Sequence, residues 1–319
     1  MKVIIQIPCF NEEATLGRTL EELPRQLSGI DQIERLIIDD GSTDRTADVA
    51  REHGVEHLVR FPENLGLARA FLAGIEAALV AGADIIVNTD ADNQYCAEDI
   101  PKLIRPILDG KAEIVIGARS ITATEHFSWS KKVLQRLGSA VVRFASNTDV
   151  ADAPSGFRAF SREAAMHLNV FSSYSYTLET IIQAGQKNIA VISVPVRTNP
   201  LLRPSRLARN TWYYVTRSIG TIVRIFMSYS PLRFFVALSG APFILGLALI
   251  ARWLFIYASG TSRAHVPSLV AAAICLLSGV QLVIVGLVAD LLSVNRKLLE
   301  DIQLRMRRLQ LRAEKNAER

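Results

Sequence analysis

Asp90 and Asp92 stand one residue apart where an apolar run ends, in IIVNTDADNQY, Ile85 to Tyr95. Carboxylates so spaced can form a polar turn, a general acid and base, or two oxygen ligands of a divalent cation. Two other apolar runs end in a similar way, one on Pro8-Cys9-Phe10-Asn11-Glu12 and one on Asp39-Asp40-Gly41-Ser42. Carboxylates do not bind phosphates unaided. They can hold a cation that does, and they accept hydrogen bonds from a base N–H or from ribose hydroxyls. A nucleotide held through its base, its ribose and a metal-bridged diphosphate suits this pattern. Neither G-x-G-x-x-G after the first run nor G-x-x-x-x-G-K-[ST] is found, so dinucleotide and P-loop chemistry are not indicated. The histidines show no metal-ligand spacing.

Regular elements must position these loops, and apolar periodicity locates them. Lys2–Pro8, Ile33–Asp39, Glu56–Phe61, Asp84–Thr89 and Glu113–Gly117 are expected as strands. Helical spacing covers Glu12–Leu27, Leu67–Ala81 and Glu98–Leu108, with Asn11 as the first N-cap. Ser42-Thr43-Asp44 opens a further helix that ends near His53. Strands that are apolar throughout are buried on both faces, as in a mostly parallel α/β sheet with helices on both sides. Ligands of such sheets bind beyond the carboxyl ends of the strands, where all three clusters lie. Glu179, in TLETIIQAG, has helical spacing and is expected on the surface.

The 319 residues allow one large domain with an appendage, or two domains. Cys9, Cys96 and Cys275 show neither pairing nor zinc spacing, which fits a reducing compartment. The opening MKVIIQIPCFNEE is too short an apolar run for a signal peptide and reads as a first strand. The net charge of +5 is unevenly spread: Thr180 to Ala289 holds no Asp or Glu, yet contains Arg197, Arg203, Arg206, Arg209, Arg217, Arg224 and Arg233. Such a segment fits an anionic surface, either nucleic acid or lipid headgroups. Two apolar runs, Phe234–Tyr257 and Ser268–Leu292, decide for lipid and against nucleic acid. Each exceeds the roughly 20 residues that cross a hydrocarbon core. A buried pair of soluble helices is the bland alternative. Arg252 can snorkel to the interface, and basic flanks on both sides place both termini in the cytoplasm. Before the first run, Thr211–Tyr229 mixes Trp212, Tyr213, Tyr214 and Ile219 with Arg217 and Arg224, as an amphipathic interfacial helix does. After the second, Asn295–Arg319 is charged, with Leu298, Leu299, Ile302, Met306 and Leu309 at helical spacing, a frayed tail or a packing surface for another subunit.

IPCFNEE, IIDDGSTDRT, NLGLARAFLAGI, NTDADNQY and DAPSGFRAFSREA, in that order, resemble family 2 glycosyltransferases of the GT-A fold. With the two apolar runs, the chain looks like the polyprenyl-phosphate branch, of the dolichyl-phosphate mannose synthase type. The resemblance implies a Rossmann-like GT-A domain over 1–200. Interfacial helices over 201–231, two transmembrane helices over 232–293 and a charged cytoplasmic tail over 294–319 would follow. It implies an integral protein of the cytoplasmic or endoplasmic reticulum membrane, and a homo-oligomer, a tetramer by family analogy. The implied reaction moves a sugar from a UDP- or GDP-sugar to the phosphate of a membrane polyprenol, with inversion, using Mg²⁺ or Mn²⁺. Carried over by position, Pro8, Asn11 and Glu12 would line the nucleotide pocket and Asp39 would meet the base. Asp90, Asp92 and Gln94 match the metal-and-diphosphate motif. Arg119 matches a basic residue facing the acceptor phosphate, and Asp152, Ser155, Gly156 and Arg158 match the acceptor-side motif. A second phosphate cation would come from Lys131, Lys132 or Arg136. The family's Gly-Glu-Ser-Lys is replaced here by Arg203-Pro204-Ser205-Arg206, which removes an acid.

A phosphate acceptor is already largely anionic near neutral pH and needs no general base, whereas a sugar hydroxyl does. Asp152 is therefore expected to orient the acceptor or Arg158, with the role of base as its alternative. Two rivals stand beside this assignment. A processive hydroxyl-directed synthase would carry Q-x-x-R-W and more than two spans, and the chain has neither. A non-catalytic nucleotide-sugar-binding subunit would have no need of the intact Asp90/Asp92 pair.

Overall fold

The computed structural model describes residues 1–119, 148–170, 176–200, 230–259 and 266–317, with Val223 and Met227. Lys131, Lys132, Arg136 and most of the expected interfacial helix lie outside the described residues. The chain divides into two compact units, Met1–Ile222 with Gln303–Arg319, and Val223–Ile302.

The first unit is built on seven strands: β1 Lys2–Cys9, β2 Gln32–Asp39, β3 His57–Arg60, β4 Ile85–Asn88, β5 Ile114–Arg119, β6 Arg158–Ser161 and β7 Val191–Val196. Their order is β3-β2-β1-β4-β6-β5-β7. All neighbours run parallel except β6, which is antiparallel to both β4 and β5. Its helices are α1 Leu16–Glu22, α2 Thr46–Glu52, α3 Leu67–Val80, α4 Ile100–Leu108, α5 Arg162–His167 and α6 Thr177–Gln186. Strand alternation splits β1 between two layers. Val3, Ile5 and Ile7 share one core with Leu16 and Leu20 of α1 and Leu103 and Ile104 of α4. On the other face Gln6 meets α3, where a Cβ on Gly74 would lie 2.5 Å from its Oε1.

Two expected helix starts are corrected. The helix expected from Glu12 begins at Leu16, because Asn11 adopts φ 55° and spends its side chain on Thr43. It ends early because Leu23, which precedes Pro24, is held extended at ψ 141°. The helix expected from Ser42 begins at Thr46. Ser42 Oγ instead accepts the Asn11 N–H at 2.9 Å, and Asp44 Oδ1 takes the Thr46 N–H.

The second unit is a helical hairpin. α7 spans Pro231–Ala258, and α8 starts at Val266 and runs unbroken to Ala317 in the first unit. Mean hydropathies of 2.3 and 2.4 make both long and apolar enough to cross a membrane. Their outward side chains are apolar and uncovered: Ile244 is 71% exposed, Phe255 77% and Leu291 69%. Small residues let the two helices approach closely, as they do in lipid. A Cβ on Gly246 would sit 2.9 Å from Leu276, and one on Gly279 3.0 Å from Phe243.

Candidate active site at the carboxyl edge of the sheet

Asp39, at the end of β2, is wholly buried. Its Oδ1 accepts the Ser42 N–H at 2.9 Å, while Oδ2 has no aligned hydrogen bond and lies 3.1 Å from Arg60 Nε. Beside it opens a cleft of about 340 Å³ lined by Gly41, Ser42, Arg60, Phe61 and Pro62. Gly41 has φ 68°, and a Cβ there would fall 2.3 Å from the Glu63 carbonyl carbon, so only glycine fits. Asp40 points away and ties down the next loop, accepting N–H bonds from Leu65 and Gly66 at 2.8 and 2.9 Å.

The loop after β1 is stitched to the loop after β2. Asn11 Oδ1 accepts the Thr43 N–H, Glu12 N–H donates to Thr46 Oγ1 at 2.8 Å, and Glu12 Oε2 accepts from Thr15. Pro8 is buried inside β1, opposite Ile38.

Asp90 and Asp92 follow β4, both partly exposed. Burial, and then Asp92, push the Asp90 carboxyl up to about 7, with Arg119 pulling the other way. Asp92 Oδ1 accepts the Gln94 N–H at 3.1 Å, so the two are neighbours in one tight turn. Asn93 closes that turn at φ 56°, a left-handed conformation that asparagine tolerates. Its carbonyl accepts from Asn199 Nδ2, and its side chain bonds Glu22. Periodicity and motif matching assigned it nothing; its signal was its position in a polar turn.

Arg119 ends β5 and is the donor in a two-bond fork. Nε bonds Asp152 Oδ2 at 2.7 Å and Nη2 bonds Asp152 Oδ1 at 3.1 Å. Asp152 is fully buried, and its two oxygens orient Arg119. Arg158, matched to the acceptor-side motif, lies in the protein interior. It is 0% exposed and donates to the carbonyls of Ser155, Thr177 and Ala153 and to Thr180 Oγ1. Ser155 is buried as well, with Oγ accepting the Phe157 N–H. Both hold the 152–158 segment in shape. Glu179 is likewise buried at 3%, not on the surface as expected.

The donor set suits a hard divalent cation. Asp90, Asp92 and Gln94 bring side-chain oxygens of the kind such a cation takes to one turn, and burial first, then the neighbouring Asp92, raises the Asp90 pKa. Among the described residues no group of three or more His, Cys, Asp or Glu makes a closed metal cage.

The glycosyl transferase family 2 model matches residues 4–168, and the chain belongs to that family. An undecaprenyl-phosphate mannosyltransferase of Micrococcus luteus is 27% identical, over 61% of this chain and 83% of that protein. A UDP-N-acetylglucosamine–dolichyl-phosphate N-acetylglucosaminyltransferase of Methanococcus voltae is 31% identical, over 61% and 85%. The fold is that of glucosyl-3-phosphoglycerate synthase from Mycobacterium tuberculosis, solved with Mn²⁺, UDP and glucosyl-3-phosphoglycerate. The TM-score is 0.55 at 20% identity, covering 72% of this chain and 79% of that one. GT-A is thus the architecture of the first unit, and polyprenyl-phosphate glycosyltransferases are among the relatives.

Proposed function

We propose that this chain moves a sugar from a nucleotide diphosphate sugar to the phosphate of a membrane polyprenol, with inversion. The observation that carries this reading is the engagement of both Asp152 oxygens by Arg119. The buried Asp152 is thereby spent on aiming a cation, which suits an anionic acceptor and takes that carboxylate out of the role of base for a hydroxyl.

In this reading Asp39 receives the base, and Glu12 lies near the ribose. Asp90, Asp92 and Gln94 would hold Mg²⁺ or Mn²⁺, with substrate phosphates or water completing the shell. When bound, that cation supplies Lewis-acid neutralisation of the leaving diphosphate. Arg119 places the acceptor phosphate beside a second anion and lowers their mutual repulsion. Lys131, Lys132 and Arg136 are assigned to the same phosphate. The apolar hairpin anchors the enzyme where its acceptor lies, with both termini in the cytoplasm and homo-oligomerisation, as a tetramer, part of the reading. A second reading, transfer to a sugar hydroxyl, is favoured only by the Asp90 carboxyl near 7, a value suited to a general base.

The test is radiolabel transfer from UDP- and GDP-sugars in membranes, with and without EDTA. Acid-labile, metal-dependent label in chloroform-soluble lipid is expected, and Asp92→Ala should abolish it with the fold intact. Label in polymer supports the hydroxyl reading. Nucleotide binding without any turnover would mean a non-catalytic subunit.

A further inference from the structure

Tyr95 follows the metal-side turn directly and turns its side chain toward the other half of the site. It is 4% exposed, and its ring stacks on Phe157 with centroids 5.0 Å apart. Its hydroxyl accepts the Gly156 N–H at 3.1 Å, with Ser155 Oγ at 3.5 Å. The Arg119 guanidinium carbon lies 5.9 Å from the ring centroid, within cation–π range.

Gly156 is the point of contact. Its carbonyl accepts from Asn88 Nδ2 at 2.8 Å, and a Cβ on it would lie 3.0 Å from both Asp90 oxygens. The backbone of Gly156 thus rests against the Asp90 carboxylate, and Tyr95 fixes its other edge. The same ring underlies the Arg119 that Asp152 grips. One side chain therefore touches the segment that borders Asp90 and the cation on the acceptor side.

We propose that Tyr95 is a positioning residue that couples the nucleotide–metal half of the site to the Arg119–Asp152 half. Ligands in the two halves then strengthen each other's binding through it, by the same factor in both directions. The inference rests on the proposed function, which supplies the two ligands.

The experiment uses the full chain in nanodiscs, with Mn²⁺–UDP and farnesyl phosphate as probes. The Kd of each is measured with and without saturating amounts of the other. The wild type should show at least a fivefold coupling. Tyr95→Phe, which removes one hydroxyl and keeps the ring, should bring the coupling below twofold while each separate Kd stays within about threefold. Tyr95→Leu should also weaken farnesyl phosphate binding, because Arg119 loses the ring beneath it. A purely structural Tyr95 would lower the melting temperature and leave the coupling factor unchanged, which overturns the inference. So does a wild type that binds both probes independently. A wild type that binds neither probe sinks the proposed function along with it.

Discussion

Arg119 Nε lies 2.7 Å from Asp152 Oδ2, and the pair closes as a two-bond fork at the end of β5. The fork fixes the direction of a planar group, which a lysine ammonium cannot reproduce. Arg119→Lys keeps the charge and loses the fork. Sugar transfer to polyprenyl phosphate should fall at least tenfold, with the nucleotide Kd within about threefold, as read by initial rates and titration calorimetry. Asp152→Asn should fall as far. Equal rates in Arg119→Lys and the wild type would show that orientation at this position is immaterial.

Asp90 gives a pH dependence whose sign can be worked out. Its folded pKa, about 7, lies above the ordinary carboxylate value. Between pH 4 and 7 the folded chain therefore holds a proton that the unfolded chain has lost, and this contribution to stability declines as pH rises through that window. Asp90→Asn should raise the melting temperature of the metal-free protein at pH 7.5, where the ionised carboxylate no longer contributes its cost. Mn²⁺ affinity should weaken roughly tenfold per pH unit below 7 and level off above it, since only the carboxylate binds metal. Calorimetry across pH 5.5–8.5 checks both, and a flat Mn²⁺ affinity would remove Asp90 from the ligand set.

Arg158 is a test of what burial means. Its guanidinium donates to four protein oxygens, three of them backbone carbonyls. Arg158→Met strips those carbonyls of their donors and should destabilise by roughly 3 kcal/mol or more. Thermal or urea unfolding reads that loss. The fraction that stays folded should bind farnesyl phosphate as the wild type does; a selective loss of that affinity would return Arg158 to the acceptor.

The alternation of strands and helices through β5 was legible because those strands are apolar throughout and carry their polar groups at the ends. β6 was not. It is only four residues long, starts with an arginine and follows Pro154-Ser155-Gly156, so neither periodicity nor composition marks it. Yet the antiparallel insertion of β6 beside β4 is what brings Gly156 to Asp90. The same short range misplaced the helix start expected at Asn11. A motif shows that a charged or polar side chain is needed, but its direction depends on neighbours far away in sequence. Arg119 and Asp152, 33 residues apart, could be nominated singly by resemblance and joined only in three dimensions.

The elevated Asp90 pKa has a consequence for how the site fills. With its pKa raised to about 7, that carboxyl holds a proton further toward neutral pH than an ordinary aspartate does. In the proposed reading a cation entering the turn would displace that proton, so loading would be an exchange of one charge carrier for another. The observed binding enthalpy would then vary with the ionisation heat of the buffer, and a poorly buffered solution would acidify as the metal is added. Site occupancy would in turn follow the acidity of the compartment that the sheet's carboxyl edge faces.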